Sequence, residues 1–310
     1  MPSTQQQNPL IEISHPVLAR HGVNLSVWRD NGPFPQISGN KWRKLKYNIE
    51  SLRNKGVSCV ASFGGPFSNH LHALAFAGKT FGFRTVGFIR GEIITPYNPT
   101  LKDATAWGMQ LVPVSRTDYR KKNDSDFIKG LAAPFEPCLI LPEGGANQLS
   151  LKGCAELAVE ICVKAKAIDC LCAPCGTGAT LAGLVAGSTG PQVLGFSALK
   201  NNTDLKGNIE SMLSEYGASA CNQWDIIHDY HFGGFAKMTV PLVSFMDEWL
   251  ARTGIELDPV YTAKMFFGIF EKIKDGYFKP GSHIVAVHTG GLQGLRGMQS
   301  KMERLRAESL

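Results

Sequence analysis

The sequence predicts an α/β fold: two open, twisted parallel-sheet domains with helices on both faces and a ligand in the cleft between them. Three observations predict it. The chain has 310 residues, more than one compact core usually holds. Short apolar runs alternate with helical patterns along its length, the rhythm of parallel sheets covered by helices. Its 33 glycines fall in short clusters at the ends of such runs, where tight turns let a backbone approach a ligand. Hydrophobic residues make up 44% and charged residues 19%, so a full core is affordable and wholesale disorder is excluded.

The elements follow in order. Strand-like runs at 57–63, 84–89, 110–114 and 138–141 alternate with helical patterns at 71–81, 100–107 and 124–132. The first run ends in Gly64-Gly65. After Gly144-Gly145 the rhythm resumes with a helix at 151–164, a strand at 170–173 closed by Pro174, and a helix at 180–186. A strand at 193–198 and helices at 208–216, 241–252 and 261–275 come next. A strand at 282–288 and an amphipathic helix at 292–306 complete the chain. Leu295, Met298, Met302 and Leu305 share one face of that helix, which reads as core or subunit contact. There is no repeat, coiled coil or low-complexity tract.

Charge and cysteine usage narrow the class. The net charge is +6. Its clusters at 41–46, 120–122 and 301–306 are short and scattered, unlike the concentrated basic face of a nucleic-acid binder. A surface with a slight preference for anionic ligands follows. The start of the chain is polar, with Gln5, Gln6 and Gln7 in a row, and resembles no signal peptide. No apolar run reaches membrane-span length. The eight cysteines are therefore expected to be reduced and the protein cytoplasmic. Cys170, Cys172 and Cys175 lie in an apolar run without a second pair at zinc-ribbon spacing. They read as small buried strand residues, and no metal site is expected.

Four segments carry chemistry. In Ser38-Gly39-Asn40-Lys41-Trp42-Arg43-Lys44-Leu45, neighbouring cations disfavour the ammonium form of Lys41. A neutral amine is what Schiff-base chemistry needs. The same octet also reads as a basic turn entering a helix. In Gly64-Gly65-Pro66-Phe67-Ser68-Asn69-His70, Ser68 or Asn69 can cap the following helix, and the free N–H groups of its first turn suit a carboxylate. In Cys175-Gly176-Thr177-Gly178-Ala179-Thr180, a small-residue turn joins a strand to a helix and forms a phosphate cradle. Its late position, with Ala198 and Leu199 where a dinucleotide fold places an acid, favours a mononucleotide or phosphate-bearing cofactor. Asp258-Pro259-Val260-Tyr261-Thr262 and His288-Thr289-Gly290-Gly291 supply one helix start and one strand end.

In this order, with His15-Pro-Val-Leu and Pro142-x-Gly144-Gly145, these motifs resemble the fold type II pyridoxal-phosphate enzymes. They are most similar to the branch of D-cysteine desulfhydrase and 1-aminocyclopropane-1-carboxylate deaminase. The resemblance runs nearly end to end. It implies pyridoxal 5'-phosphate in the interdomain cleft, held as a Schiff base by Lys41, which also moves protons at the substrate α-carbon. Asn69 would bond the phenolic oxygen, and Gly176, Thr177, Gly178, Ala179 and Thr180 would wrap the phosphate. Ser68, Asn69 and His70 would take the substrate carboxylate, with Ser68 also an acid/base group. Tyr261 would stand beside the substrate.

Deaminases of the branch carry a glutamate after that tyrosine and a leucine before the Gly-Gly pair. Here Thr262 and Thr289 stand instead, one of them facing the pyridine nitrogen. A neutral hydroxyl leaves the ring a weaker electron sink than a carboxylate does, enough to expel a good β-leaving group. The resemblance thus implies α,β-elimination on a D-amino acid such as D-cysteine. Its rivals are the deaminase, a serine or threonine dehydratase or racemase, and a metabolite- or cofactor-binding protein without activity. Phe235 stands where the branch usually has a second active-site tyrosine, which alters the substrate pocket. The larger domain is expected to comprise 1–43 and 152–310, the smaller 44–151. The branch commonly forms homodimers, takes small amino acids, and has neither nucleic acid nor membrane as partner.

Overall fold

Two sets of apolar runs build two separate sheets. A computed structural model describes residues 8–30, 32–37, 39–218 and 223–308. Ser38 and the glutamines at 5–7 lie outside the described residues. The strands are β1 (Leu10–Ile13), β2 (Asn24–Arg29), β3 (Cys59–Gly64), β4 (Arg84–Arg90), β5 (Met109–Val114), β6 (Leu139–Leu141), β7 (Cys170–Cys175), β8 (Gln192–Ser197), β9 (Trp224–Ile227) and β10 (His283–His288). The helices are α1 (Pro16–His21), α2 (Asn40–Asn54), α3 (Asn69–Phe81), α4 (Pro99–Ala106), α5 (Ser125–Ala132), α6 (Gln148–Lys164), α7 (Ala179–Gly187), α8 (Leu205–Tyr216), α9 (Val240–Thr253), α10 (Thr262–Lys274) and α11 (Gln299–Ala307).

One sheet has the order β1-β2-β10-β7-β8-β9, the other β5-β4-β3-β6. Every pairing is parallel except β1 with β2, an antiparallel edge on an otherwise parallel sheet. The pleat sends alternate residues to opposite cores. On β3, Cys59, Ala61 and Phe63 enter one cluster and Val60 the other. On the larger sheet, Cys170 and Cys172 face a cluster under α9 and α10, while Leu171, Ala173 and Cys175 face one under α6 and α7. The three cysteines are thus buried strand residues, as the apolar run predicts. Among the described residues no helix is long and apolar enough to cross a membrane.

Two local expectations are corrected, and four elements were not foreseen. Pro174 does not close its strand: β7 continues through it to Cys175, paired with β8. The β10 pairing has already ended at Cys172, so the missing N–H of Pro174 falls where that ladder is open. The last helix is broken: a 3-10 turn covers Leu292–Gly297 and α11 follows. Gly294 and Gly297 weaken the helix there, and a Cβ on Gly297 would lie 2.4 Å from the Phe67 ring. Met302 and Leu305 are nevertheless buried, with Leu295 and Met298 packed on the same core. Finally, β1, α1, β2 and β9 carry too few apolar repeats to be foreseen.

The two sheets are joined by helices rather than linkers. The positions expected as boundaries, 43/44 and 151/152, fall inside α2 and α6. These helices pack tightly, since a Cβ on Gly153 would lie 1.9 Å from the Arg43 carbonyl oxygen. Arg43 ties the crossing with bonds to Asp30 and, at 2.6 and 2.7 Å, to Glu160. The start of α2 therefore stays with the larger sheet while Leu45, Ile49 and Leu52 enter the core of the smaller one.

Candidate functional site

Two strand-to-helix turns face the same region. In the first, β3 runs into Gly64 and α3 begins at Asn69. Ser68 caps α3 by accepting the Leu71 N–H at 3.2 Å. Gly64 is required here: a Cβ would lie 2.7 Å from Ser68 Oγ. The Asn69 and His70 N–H groups have no partner among the described residues, and neither does the Ser68 hydroxyl proton. The Asn69 amide is oriented from a distance. Its Oδ1 accepts from Gln293 Nε2, and Gln293 Oε1 accepts from Thr100 Oγ1 at 2.8 Å. That relay leaves Asn69 Nδ2 as the free donor.

The His70 side chain turns away from this turn. Its ring is 3% exposed, and Nε2 lies 3.0 Å from Ser62 Oγ. Ser62 Oγ in turn donates to the Leu141 or Pro142 carbonyl, so Nε2 carries the His70 proton and Nδ1 is an unpartnered acceptor. Burial, reinforced by Lys44 and Lys41, pushes its pKa down to about 3. His70 is neutral, and what it presents at the turn is its backbone N–H.

In the second turn, β7 passes through Gly176, Thr177 and Gly178 into α7. Gly178 has φ +88 and a Cβ there would lie 2.6 Å from Ile209, so only glycine fits. No side chain caps α7. The N–H groups of Gly178, Ala179 and Thr180 have no acceptor among the described residues. Uncapped donors at the positive end of a helix suit a dianion. Gly144, from the turn after β6, packs on this cradle: a Cβ would lie 2.9 Å from Thr177 Cγ2.

Lys41 stands between the two turns, in the first turn of α2. The helix-entry and Schiff-base readings of its octet thus describe one place. Lys41 Nζ donates to Asn40 Oδ1 at 2.5 Å, and Asn40 Nδ2 donates to Thr180 Oγ1 at 2.8 Å. Burial, and then the neighbouring Lys44 ammonium, lower the Lys41 pKa to about 7, against a smaller opposing pull from Asp258. Close to half of the amine is then neutral near pH 7. Lys44 is itself buried, with one bond to the Gly144 carbonyl at 3.1 Å and no acidic partner among the described residues. Burial holds its pKa below the usual lysine value. Gly39 brings the strand end against this helix start: a Cβ would lie 2.0 Å from the Thr289 carbonyl oxygen.

The remaining predicted residues divide. Tyr261 covers the cradle, its Cε1 being 3.2 Å from where a Gly176 Cβ would sit. Burial, followed by the charges of Asp258 and Glu143, raises its phenol well above the usual value. Phe235 is 47% exposed and meets Tyr261 edge-on, with ring centroids 6.0 Å apart. Thr262 is committed elsewhere: it is fully buried and donates to Asp258 Oδ2 at 2.6 Å. Asp258 also accepts the N–H groups of Val260, Tyr261 and Thr262. Thr289, at the end of β10, has a hydroxyl with no partner among the described residues.

Four contributors escaped the sequence reading. Asn40 lies inside the quoted octet, and Lys44 in its basic cluster, but their burial has no local signal. Gln293 follows the Thr289-Gly-Gly element by two residues. Lys264 is 1% exposed and donates to three carbonyls, Gly234 at 2.7 Å, His231 at 2.9 Å and Ala198 at 3.4 Å. It ties the loop bearing Phe235 to the end of β8.

These residues fit pyridoxal phosphate. The uncapped α7 donors and the buried, acid-free Lys44 suit its phosphate, the desolvated Lys41 amine its aldehyde, and free Asn69 Nδ2 its phenolic oxygen. Comparison with known proteins agrees. Residues 3–290 match the family model described as pyridoxal-phosphate dependent enzyme. A relative from Thermotoga maritima, provisionally named 1-aminocyclopropane-1-carboxylate deaminase, is 31% identical, over 89% of this chain and 91% of its own. A Klebsiella pneumoniae protein named D-cysteine desulfhydrase is 27% identical, over 90% of both chains. The crystal structure of an ACC deaminase homologue has a TM-score of 0.83 at 23% identity, covering 96% of this chain and 93% of that one, a match of fold. The chain belongs to the pyridoxal-phosphate-dependent enzyme family, in the branch that holds these deaminases and desulfhydrases.

Proposed function

We propose that this pyridoxal-phosphate-dependent enzyme catalyses α,β-elimination on a small D-amino acid such as D-cysteine, with water consumed and pyruvate, ammonia and sulfide released. The observation that carries the reading is Thr289. Just past the end of β10, its carbonyl packs on Gly39 and its neutral hydroxyl has no partner among the described residues, while Thr262 and the Asp258 carboxylate are bonded to each other. No free carboxylate is then available among these residues to strengthen the ring as an electron sink.

When bound, the cofactor withdraws electrons from the substrate α-carbon. The chain supplies the rest. The α3 N–H groups of Asn69 and His70, with the Ser68 hydroxyl, receive the substrate carboxylate. Asn69 Nδ2, aimed by Gln293, holds the phenolic oxygen. The α7 donors and Lys44 would hold the phosphate, and Thr289 would supply the hydroxyl at the ring nitrogen. Lys41 Nζ, neutral in part at pH 7, takes the α-proton. Ser68 and Tyr261 would hand a proton to the departing group. Residues 1–43 with 152–310 form the cofactor-holding domain in this reading, and 44–151 the substrate-holding one. The working unit is a cytoplasmic homodimer, without nucleic acid or membrane as partner. The seven cysteines among the described residues are free, which suits a reducing compartment.

The test is a paired assay on purified holoenzyme. Sulfide should appear from D-cysteine and not from L-cysteine. Ketobutyrate released from 1-aminocyclopropane-1-carboxylate at an equal or greater rate would replace the elimination by the deaminase reaction.

A further inference from the structure

The basic cluster at 120–122 takes no part in the site described above, yet it lines a recess beside it. Arg90, at the end of β4, joins Arg116, Arg120 and Lys122 around Tyr119 and Glu143 in a recess of about 390 Å³. Four cations surround one carboxylate. Tyr119, buried at 3% exposure, donates to Glu143 Oε1 at 2.9 Å, and Lys122 lies 3.5 Å from the same carboxylate. Arg90, Arg116 and Arg120 have no acidic partner among the described residues. Their like charges are unfavourable together unless an anion joins them.

The recess shares its wall with the substrate turn. A Cβ on Gly65, three residues before Ser68, would lie 3.6 Å from Arg90 Nη2. Glu143 is adjacent to Gly144, which touches Thr177 and accepts from Lys44. The Tyr261 phenol feels both sides: after burial and Asp258, Glu143 raises its pKa and Arg90 lowers it.

We propose that this recess is a subsite for a second, distal anionic group of the amino-acid substrate, a carboxylate, sulfonate or phosphate, bound by Arg90, Arg116 and Arg120. The proposal rests on the reading that the Ser68 turn holds the substrate's α-carboxylate. From there a side chain passing Gly65 reaches Arg90. A planar guanidinium pairs with such oxyanions through two parallel bonds.

Binding to the holoenzyme, read by calorimetry and by the cofactor's absorption, tests it without elimination when the probes carry no β-leaving group. The probes are alanine and 2-amino-3-phosphonopropionate as separate enantiomers, with inorganic phosphate alone. In one enantiomeric series the phosphonate should bind about tenfold tighter than alanine or more. Arg116→Ala with Arg120→Ala should abolish that preference and leave alanine binding unchanged. Both residues are exposed, so the variant should fold and keep its cofactor band. Equal binding of the two amino acids by wild type, or a preference that survives in the variant, overturns the subsite. Inorganic phosphate that binds the recess without competing with the phosphonate assigns it to a free anion and overturns the substrate reading. Because the measurement is of binding, it stands apart from the sulfide assay: an enzyme inert toward D-cysteine can still show the preference.

Discussion

The two glycine-rich turns are built alike and finished differently. Each leads from a buried parallel strand into the N-terminus of a helix. At α3, Ser68 spends its oxygen on the Leu71 N–H and closes part of the helix end. At α7, Gly178 has no side chain to offer, and the end stays open. A capped end keeps a hydroxyl and two N–H groups for a singly charged carboxylate. An open end, backed by Lys44, offers more donors and more positive potential to a dianion. That difference is what supports the proposed division, with the substrate at one turn and the cofactor phosphate at the other.

Lys41, between the turns, is where the largest effect is expected. Lys41→Ala should cost about a hundred- to ten-thousandfold in turnover and remove the bound-cofactor absorption band. A variant that keeps the band would mean that another lysine holds the cofactor. Ser68→Ala should lower turnover about a hundredfold and global stability, measured by urea unfolding, by about 1 kcal/mol for the lost cap. Its cofactor affinity should not change. Thr177→Ala should do the reverse, weakening cofactor binding by about tenfold with turnover preserved at saturating cofactor. If either substitution moves the other's observable, the division between the turns fails.

Smaller effects refine it. Lys264→Met should raise KM severalfold with little change in kcat, because the ammonium holds the Phe235 loop by its carbonyls and touches no reacting atom. Burial lowers the Lys264 pKa to about 8, against a partial pull from Asp258. KM of the wild type should therefore rise as pH passes about 8 and that proton is lost. The smallest expected signal is kinetic. The initial rate of cofactor capture by stripped protein should rise as pH passes about 7 and then level off, following Lys41. An unperturbed lysine would still be climbing near pH 10.

Much of this site is local in the chain and so legible in it. A strand running into small residues and then a helix announces an anion turn, and Ser68 sits at the cap position its neighbours dictate. Lys41 is legible through its cationic neighbours. Other parts had no such signal. Thr262 and Thr289 look equivalent as letters, and only the bonds of Asp258 show that one is occupied and the other free. His70 reads as a polar group at a binding turn, but its ring is drawn to Ser62 and desolvated. Pro174 reads as a strand end because proline lacks an N–H, yet the ladder it would break is already open there.

By itself, the sequence determined the α/β rhythm, the two turns and the family, and singled out Lys41 as the candidate Schiff-base lysine, because periodicity and turn chemistry act over a few residues. The tertiary structure decided which groups are charged, which are free and which way they point. Lys44 lies a hundred residues from the Gly144 it bonds, and Gln293 lies 224 from Asn69. Arg90 meets Arg116 and Arg120 only because β4 and β5 pair in parallel and end together. Desolvation and Coulomb interactions depend on distance in space, and that distance exists only after the sheets have formed and packed.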